Sequence, residues 1–197
     1  MNRKYTSEAI LISAKNSGEA DKIVLFITKR FGLLKARALG VRYAKSKLRY
    51  HLTHPSLLNA VFVRGRAGWR VVEVIEEKYS FHRALAGDRE RLASAHKVFS
   101  FLPRVLVEEE FCGDVYSEVA DALPLFADEN SDSNDVETLV VFRILRNLGY
   151  IKAAGDDIIK KNLLAPTRLD SDILKTVRPI RRQIIGEINK TISENQL

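Results

Sequence analysis

The chain changes its hydrophobic period once. Up to about residue 80 the apolar positions come as short runs or alternate with polar ones. Ala9-Ile10-Leu11-Ile12 is an apolar run followed by a polar turn, Asn16-Ser17-Gly18-Glu19-Ala20-Asp21. Lys22–Thr28 is rich in β-branched residues, which favour strands. Arg30-Phe31-Gly32 turns the chain. In Leu33–Val41, Lys35, Arg37 and Leu39 alternate with Leu34, Ala36 and Ala38, so a strand here sets two basic groups on one face. Arg42–Arg49 reads as a basic loop. Pro55 opens the apolar stretch Leu57–Val63, Arg64-Gly65-Arg66-Ala67-Gly68 is a Gly-rich connection, and Trp69–Glu76 alternates again. Five short strands joined by Gly-containing turns predict a small closed or nearly closed barrel.

After Tyr79 the period becomes helical, which places a domain boundary near residues 79–83. Asp88–Val107 carries Leu92, Ala95, Val98, Phe99, Leu102, Val105 and Leu106 near helical spacing, with Pro103 set to kink or end it. Asp114–Phe126 reads as a second helix. Asp128–Asn134 reads as a loop in which Ser133 or Asn134 caps the next helix. That helix, Val136–Leu148, stops at Gly149, a natural residue for the position after a helix. Asp157–Leu164 reads as a short helix, and Leu169–Ile192 as a last, basic helix interrupted by Pro179.

Charge sharpens this picture. Among the 197 residues the net charge is +7, but residues 1–80 hold sixteen basic and six acidic side chains, while residues 81–197 hold sixteen and nineteen. No acidic residue occurs between Lys22 and Val72, a stretch with twelve Lys and Arg. A folded unit so composed attracts polyanions. The opposite pole is Glu108–Glu137, with eleven acidic residues and no basic one; it is expected to avoid nucleic acid and either faces a basic partner or, the favoured reading, forms solvated helix faces and a polar loop. A single cysteine, Cys112, excludes an internal disulfide and any four-cysteine zinc module. No apolar run approaches the roughly 20 residues needed to span a bilayer, and the N-terminus lacks the apolar core of a signal peptide. A cytoplasmic protein, with no membrane association, is expected.

The candidate site is a basic face. Arg42, Lys45, Lys47 and Arg49 crowd one loop, Arg64 and Arg66 flank Gly65, and Lys35 and Arg37 extend the track along a strand. Cations near phosphates release counterions and read no sequence. Tyr43 and Tyr50 stand beside the loop as stacking candidates; Phe62 reads as core and Trp69 as partly packing. His51 and His54 are spaced for a metal only on a helix, which this segment is not. His82 and His96 are isolated, and Cys112 lacks a base. Glu108-Glu109-Glu110 and Asp156-Asp157 show no convergence into a nuclease centre, and no Walker loop is present. Lys175, Arg178, Arg181 and Arg182 fall at helical spacing and join the basic surface, hold an acidic partner, or face water. Competing readings are an RNA-binding module, a metal-dependent nuclease, an interaction scaffold, or a basic face without a partner.

Several pieces, in order, resemble one family: Glu8-Ala9-Ile10-Leu11, Gly18-Glu19-Ala20-Asp21-Lys22-Ile23-Val24, Phe31-Gly32, Gly40-Val41-Arg42, then Lys45-Ser46-Lys47-Leu48-Arg49 with Leu52, Pro55 and Arg64-Gly65-Arg66. Phe142-Arg143-Ile144-Leu145-Arg146-Asn147-Leu148-Gly149-Tyr150 matches more loosely. The pattern is similar to the RecO family of bacterial DNA-repair proteins, the recombination mediators. The resemblance implies an α+β protein: a five-stranded OB-fold barrel over residues 1–80, then an all-helical domain over residues 81–197. It implies binding of single- and double-stranded DNA, annealing of complementary strands, and cooperation with RecR and with single-stranded-DNA-binding protein, without enzymatic bond cleavage and without a cofactor. Many members carry four zinc-binding cysteines soon after the segment matching Leu148-Gly149-Tyr150. Here Ile151–Asp157 has none, so a short, zinc-free form is expected, without contacts that depend on a zinc lobe.

Overall fold

A computed structural model describes residues 3–53, 55–151 and 169–197. They form two compact units. One holds Met1–Ala86 with Leu106–Tyr116, and the other holds Gly87–Val105 with Ser117–Leu197.

The first unit is a closed barrel of five strands: β1 (Lys4–Ser17), β2 (Asp21–Thr28), β3 (Gly32–Ala38), β4 (Ser56–Gly65) and β5 (Gly68–Ser80). Their order around the barrel is β1-β2-β3-β5-β4, antiparallel except for a short parallel pairing of β3 with β5. This is an OB-fold, as the resemblance implied. β1 closes it. Its first half pairs with β4 (Lys4↔Val63 to Ile10↔Leu57) and its second half with β2 (Ala9↔Thr28 to Ser17↔Asp21). A register shift between Leu11 and Ser13 bends the strand between the two partners. Alternation fills the interior with Ala9, Leu11, Val24, Phe26, Leu34, Ala36, Leu58, Ala60, Phe62, Trp69 and Val71.

Three strand details differ from expectation. β1 and β5 are longer than their apolar runs, because polar residues such as Lys15 and Glu76 pair along the ladder with their side chains outside. β3 stops at Ala38 rather than Val41: Gly40 takes φ +61° and donates its N–H to Asp21 Oδ1 at 2.8 Å, which turns Val41 into the core. The basic loop contains a 3-10 turn, Lys47–Tyr50. A one-turn helix, α1 (Phe81–Ala84), follows the barrel.

The helical unit holds α2 (Arg89–Val105), most of α3 (Gly113–Ala127), α4 (Ser133–Asn147), α5 (Ser171–Val177), a 3-10 turn at Arg178–Ile180 carrying Pro179, and α6 (Arg181–Asn195). Val98, Phe99 and Leu102 of α2, Leu123 and Phe126 of α3, Leu139, Val140 and Phe142 of α4, and Ile184 of α6 are buried. Pro103 lies inside the last turn of α2, which ends two residues later. The cap of α4 is Asp132, one residue before the expected pair. Its carboxylate accepts from the N–H of Asn134, a bond that the Ser133 hydroxyl, already inside the helix, does not supply. Gly149 takes φ +82° after that helix, as its position suggested. The short helix expected at Asp157–Leu164 lies outside the described residues.

One buried ion pair anchors the helical core. Arg143, 1% exposed, reaches Glu118 Oε2 at 3.3 Å. Burial pushes the Glu118 carboxyl above its usual range despite the guanidinium beside it. Removing one partner strands the other charge away from water. Arg143→Ala is therefore expected to cost about 3–5 kcal/mol in urea unfolding, whereas the double variant Arg143→Met/Glu118→Leu recovers most of that loss.

Candidate nucleic-acid interface

In a mainly antiparallel barrel the connections alternate between ends. The β1–β2 turn and the β3–β4 connection share one end, and the β2–β3 and β4–β5 turns share the other. The predicted cations divide accordingly. Arg42, Lys45, Lys47 and Arg49, with Tyr43 and Tyr50, stand at the first end. Arg64 and Arg66 stand at the second. Lys35 and Arg37 lie on β3 between them.

At the first end, apolar anchors turn the polar side chains outward. Val41 and Leu52 are fully buried in the barrel core and Leu48 packs against it. Arg42, Lys45, Lys47 and Arg49 are exposed, as are Tyr43 (56%) and Tyr50 (75%). One backbone and one side-chain bond fix the loop to the β1–β2 turn: Arg42 N–H donates to the Ala20 carbonyl at 2.9 Å and Arg42 Nη1 to the Gly18 carbonyl at 3.0 Å. Lys22 Nζ donates to the Leu52 carbonyl at 2.9 Å. Burial, and then repulsion from Arg42 and Arg49, push this ammonium below the usual lysine range. The neighbouring Arg42 and Arg49 would also attract a polyanion.

β3 behaves as its alternation required. Lys35 and Arg37 are exposed, while Leu34, Ala36 and Ala38 point inward. Register then adds two cations that sequence reasoning missed. Lys15 of β1 pairs with Ile23 of β2, Ile23 with Arg37, and Arg37 with Arg70 of β5. Lys15, Arg37 and Arg70 thus share one outward row across four strands, with Lys35 in the next row beside Leu25. Strand alternation marks Arg70 as outward; its neighbour across the barrel is a matter of closure, which no local pattern carries. One carboxylate enters this surface: Asp21 Oδ2 lies 3.5 Å from Arg37 Nη2.

The second end is more guarded. Arg66 is exposed in the β4–β5 turn. Arg64 Nη2 lies 2.9 Å from Glu109 Oε2, so one of the predicted cations meets the acidic segment. Trp69 is packed, in edge contact with Tyr5, and Phe62 is core.

His51 Nδ1 lies 3.2 Å from Glu77 Oε2, and His54 lies outside the described residues. Cys112 is half-buried, its thiol pushed up to about 11 by burial and by Glu110. His96 makes an edge contact with Phe99. Lys175 pairs with Asp172 at 2.7 Å, and Arg181 with Asp132 and Asp135 at 3.3 and 3.0 Å, so two of the late basic residues serve the helical unit itself. Among the described residues, no three His, Cys, Asp or Glu side chains cluster as metal ligands, and no helix is long and apolar enough to cross a membrane.

A family model described as "Recombination protein O N terminal" matches residues 1–81, which is the barrel and its basic loop. Over these residues the chain is similar to the N-terminal domain of the RecO family. It is similar to the DNA repair protein RecO of Synechococcus elongatus, 35% identical over 95 residues, covering 48% of this chain and 35% of the relative. It is similar to that of Clostridium perfringens at 28% over 163 residues, covering 81% and 64%. With that of Bifidobacterium longum it shares 23% over 156 residues, covering 79% and 65%. The chain thus spans between about a third and two thirds of these RecO relatives. The first match is confined to 95 residues, whereas the other two extend into the helical unit.

Glu77 is the positioning carboxylate that sequence reasoning missed. It faces His51 at the loop's end, accepts from Ser56 Oγ at 3.1 Å, and lies 3.2 Å from Arg83 Nη2. Burial raises its pKa, but hydrogen bonds from His51, Ser56, Ser80 and Arg83 outweigh that and leave it below the usual range. A depressed carboxylate contributes stability above its unfolded pKa of about 4.3, lost as the pH falls through the folded value. The expected outcome is a thermal midpoint that declines as pH drops below about 4.3. Glu77→Gln should lose about 1–2 kcal/mol at pH 7 and show a shallower acid limb, both read by circular dichroism.

Proposed function

We propose that this protein is a non-enzymatic DNA-binding and strand-annealing factor of recombinational repair. The observation that carries the reading is the outward row Lys15, Arg37 and Arg70, adjoining a loop whose apolar anchors leave Arg42, Lys45, Lys47 and Arg49 in water. Such a surface holds sugar-phosphate backbones without reading bases, which suits a factor that acts at any sequence. Tyr43 and Tyr50 stack on unpaired bases, as aromatic side chains on OB-folds do. Annealing needs no bond cleavage: neutralising two polyanions lowers the cost of their approach. The division of labour is a nucleic-acid-binding domain over residues 1–80 and a helical domain over residues 81–197. The names of the relatives support the repair setting. Cytoplasmic RecR and single-stranded-DNA-binding protein are the partners this reading assigns, and no zinc or other cofactor takes part.

Three measurements test it. The affinity for a single-stranded oligonucleotide should fall with salt by roughly 0.7 log units per log unit for each phosphate neutralised; a flat salt dependence counts against the basic surface. Lys45→Ala, Lys47→Ala and Arg49→Ala together should lower affinity by roughly tenfold or more, alike for all sequences, in fluorescence anisotropy. Competition with RNA of the same sequence decides between DNA repair and an RNA-binding module, since only the former predicts that RNA competes no better than DNA.

A further inference from the structure

Three arginines at the barrel end away from the basic loop each lie on an aromatic ring. Arg3 Cζ is 5.4 Å from the Tyr5 ring centroid, Arg30 Cζ 5.4 Å from that of Phe31, and Arg64 Cζ 5.5 Å from that of Trp69. The three rings touch one another, with centroids 5.7, 5.4 and 5.3 Å apart. They plug the mouth of the barrel, because Trp69 is core and Tyr5 and Phe31 pack against it. The β2–β3 turn is fixed beneath them: Phe31 N–H donates to Thr28 Oγ1 at 2.9 Å, and Thr28 Oγ1 donates to the Gly32 carbonyl at 3.0 Å. A guanidinium lying on a ring is costly to move and can offer its edge N–H groups to anions; Arg30 commits Nη1 to the Thr6 carbonyl at 3.1 Å, which fixes it in place and leaves its other N–H groups for a ligand.

An anion already sits there. Glu109 holds Arg64 from a strap that crosses the turn. Its N–H donates to the Leu33 carbonyl at 2.8 Å, and it takes φ +64°, a conformation glutamate rarely adopts. The Glu110 carbonyl oxygen lies 1.6 Å from where a side chain on Gly32 would begin, so only glycine admits the strap. Glu108 and Glu110 flank Glu109 and lower the net charge of the mouth. The pair itself is largely exposed and therefore weak enough for a phosphate to displace. Below it, Trp69 Nε1 is buried without a partner, a donor for which the described residues supply no acceptor.

We propose that Arg3, Arg30 and Arg64 form a second phosphate-binding site, which takes the backbone of the complementary nucleic-acid strand once Glu109 yields. The proposal rests on the annealing reading and deepens it: two strands at two ends of one small barrel can be neutralised separately and brought together along the row between them. The site is weaker than the basic loop, as suits a strand that must be released into a duplex.

The test separates one-strand from two-strand behaviour. Arg3→Ala/Arg30→Ala should keep affinity for a single labelled oligothymidine within about twofold, yet slow annealing of two complementary oligonucleotides by roughly tenfold. Arg3→Lys/Arg30→Lys should restore part of that rate, since Lys keeps the charge but not the planar stacking. Glu109→Gln should speed annealing by up to about fivefold, the factor corresponding to an exposed ion pair. If the alanine variant anneals like the unaltered chain while folded by its thermal melt, the second site is wrong and the first reading survives. If that variant does not fold, Glu109→Gln decides, and an unchanged annealing rate rejects the site. If the unaltered chain neither binds the oligothymidine nor anneals, both readings fall.

Discussion

Closure of the five-stranded barrel is the constraint on which everything else depends. Once β1 bends to pair with both β2 and β4, alternate residues of the strands are committed to an interior filled by Ala, Val, Leu, Phe and Trp. The cations of an acid-free stretch then have nowhere to go but outside or to the ends. Lys35 and Arg37 are separated by Ala36, and Arg70 is bracketed by Trp69 and Val71, so packing and charge display follow from one alternation. A one-residue slip would bury Arg37 and expose Ala36, a cost that far exceeds what a surface cation contributes.

The basic loop shows the same coupling in a segment without regular pairing. Four cations in eight residues repel one another, and a loose loop would relax by spreading them. Here Val41, Leu48 and Leu52 close the end of the barrel, and the Ala20, Gly18 and Leu52 carbonyls accept from Arg42 and Lys22. Hydrophobic burial therefore holds the charges closer together than their electrostatics alone would allow. That preorganisation lowers the ordering cost when a polyanion arrives.

The fold was legible where period and chemistry coincide. The alternation in β3 placed Lys35 and Arg37 outside, the strand count predicted a barrel, and Gly149 marked the end of α4. What stayed hidden depends on long-range pairing. Nothing near Lys15 or Arg70 says that they share a row with Arg37, since that follows from barrel closure. Nothing near Glu77 says that it faces His51. The cap of α4 was misplaced by one residue because Asp132, Ser133 and Asn134 are all good capping residues, and only tertiary contacts such as Arg181 with Asp132 single out the first. The candidate cations were read as one surface, yet connectivity sets Arg64 and Arg66 at the end away from Arg42–Arg49, an outcome that spacing along the chain cannot express.

From sequence, the acidic stretch from Glu108 to Glu137 reads as solvated helix faces and a polar loop. Its members divide into distinct tasks instead. Glu118 sustains Arg143 in the helical core, Asp132 and Asp135 hold Arg181, and Glu137 meets Lys97 at 3.0 Å. These carboxylates are spent locally, within the helical unit. Glu109 differs: it adopts a left-handed backbone, and its side chain reaches an arginine of the barrel. Backbone strain persists only where the surroundings over-determine it, and here the Leu33 carbonyl and the bare Gly32 do so. A carboxylate held at such cost beside a half-free arginine has a clearer rationale as a removable counter-ion than as a stabilising pair, because an exposed pair of this kind contributes little to stability.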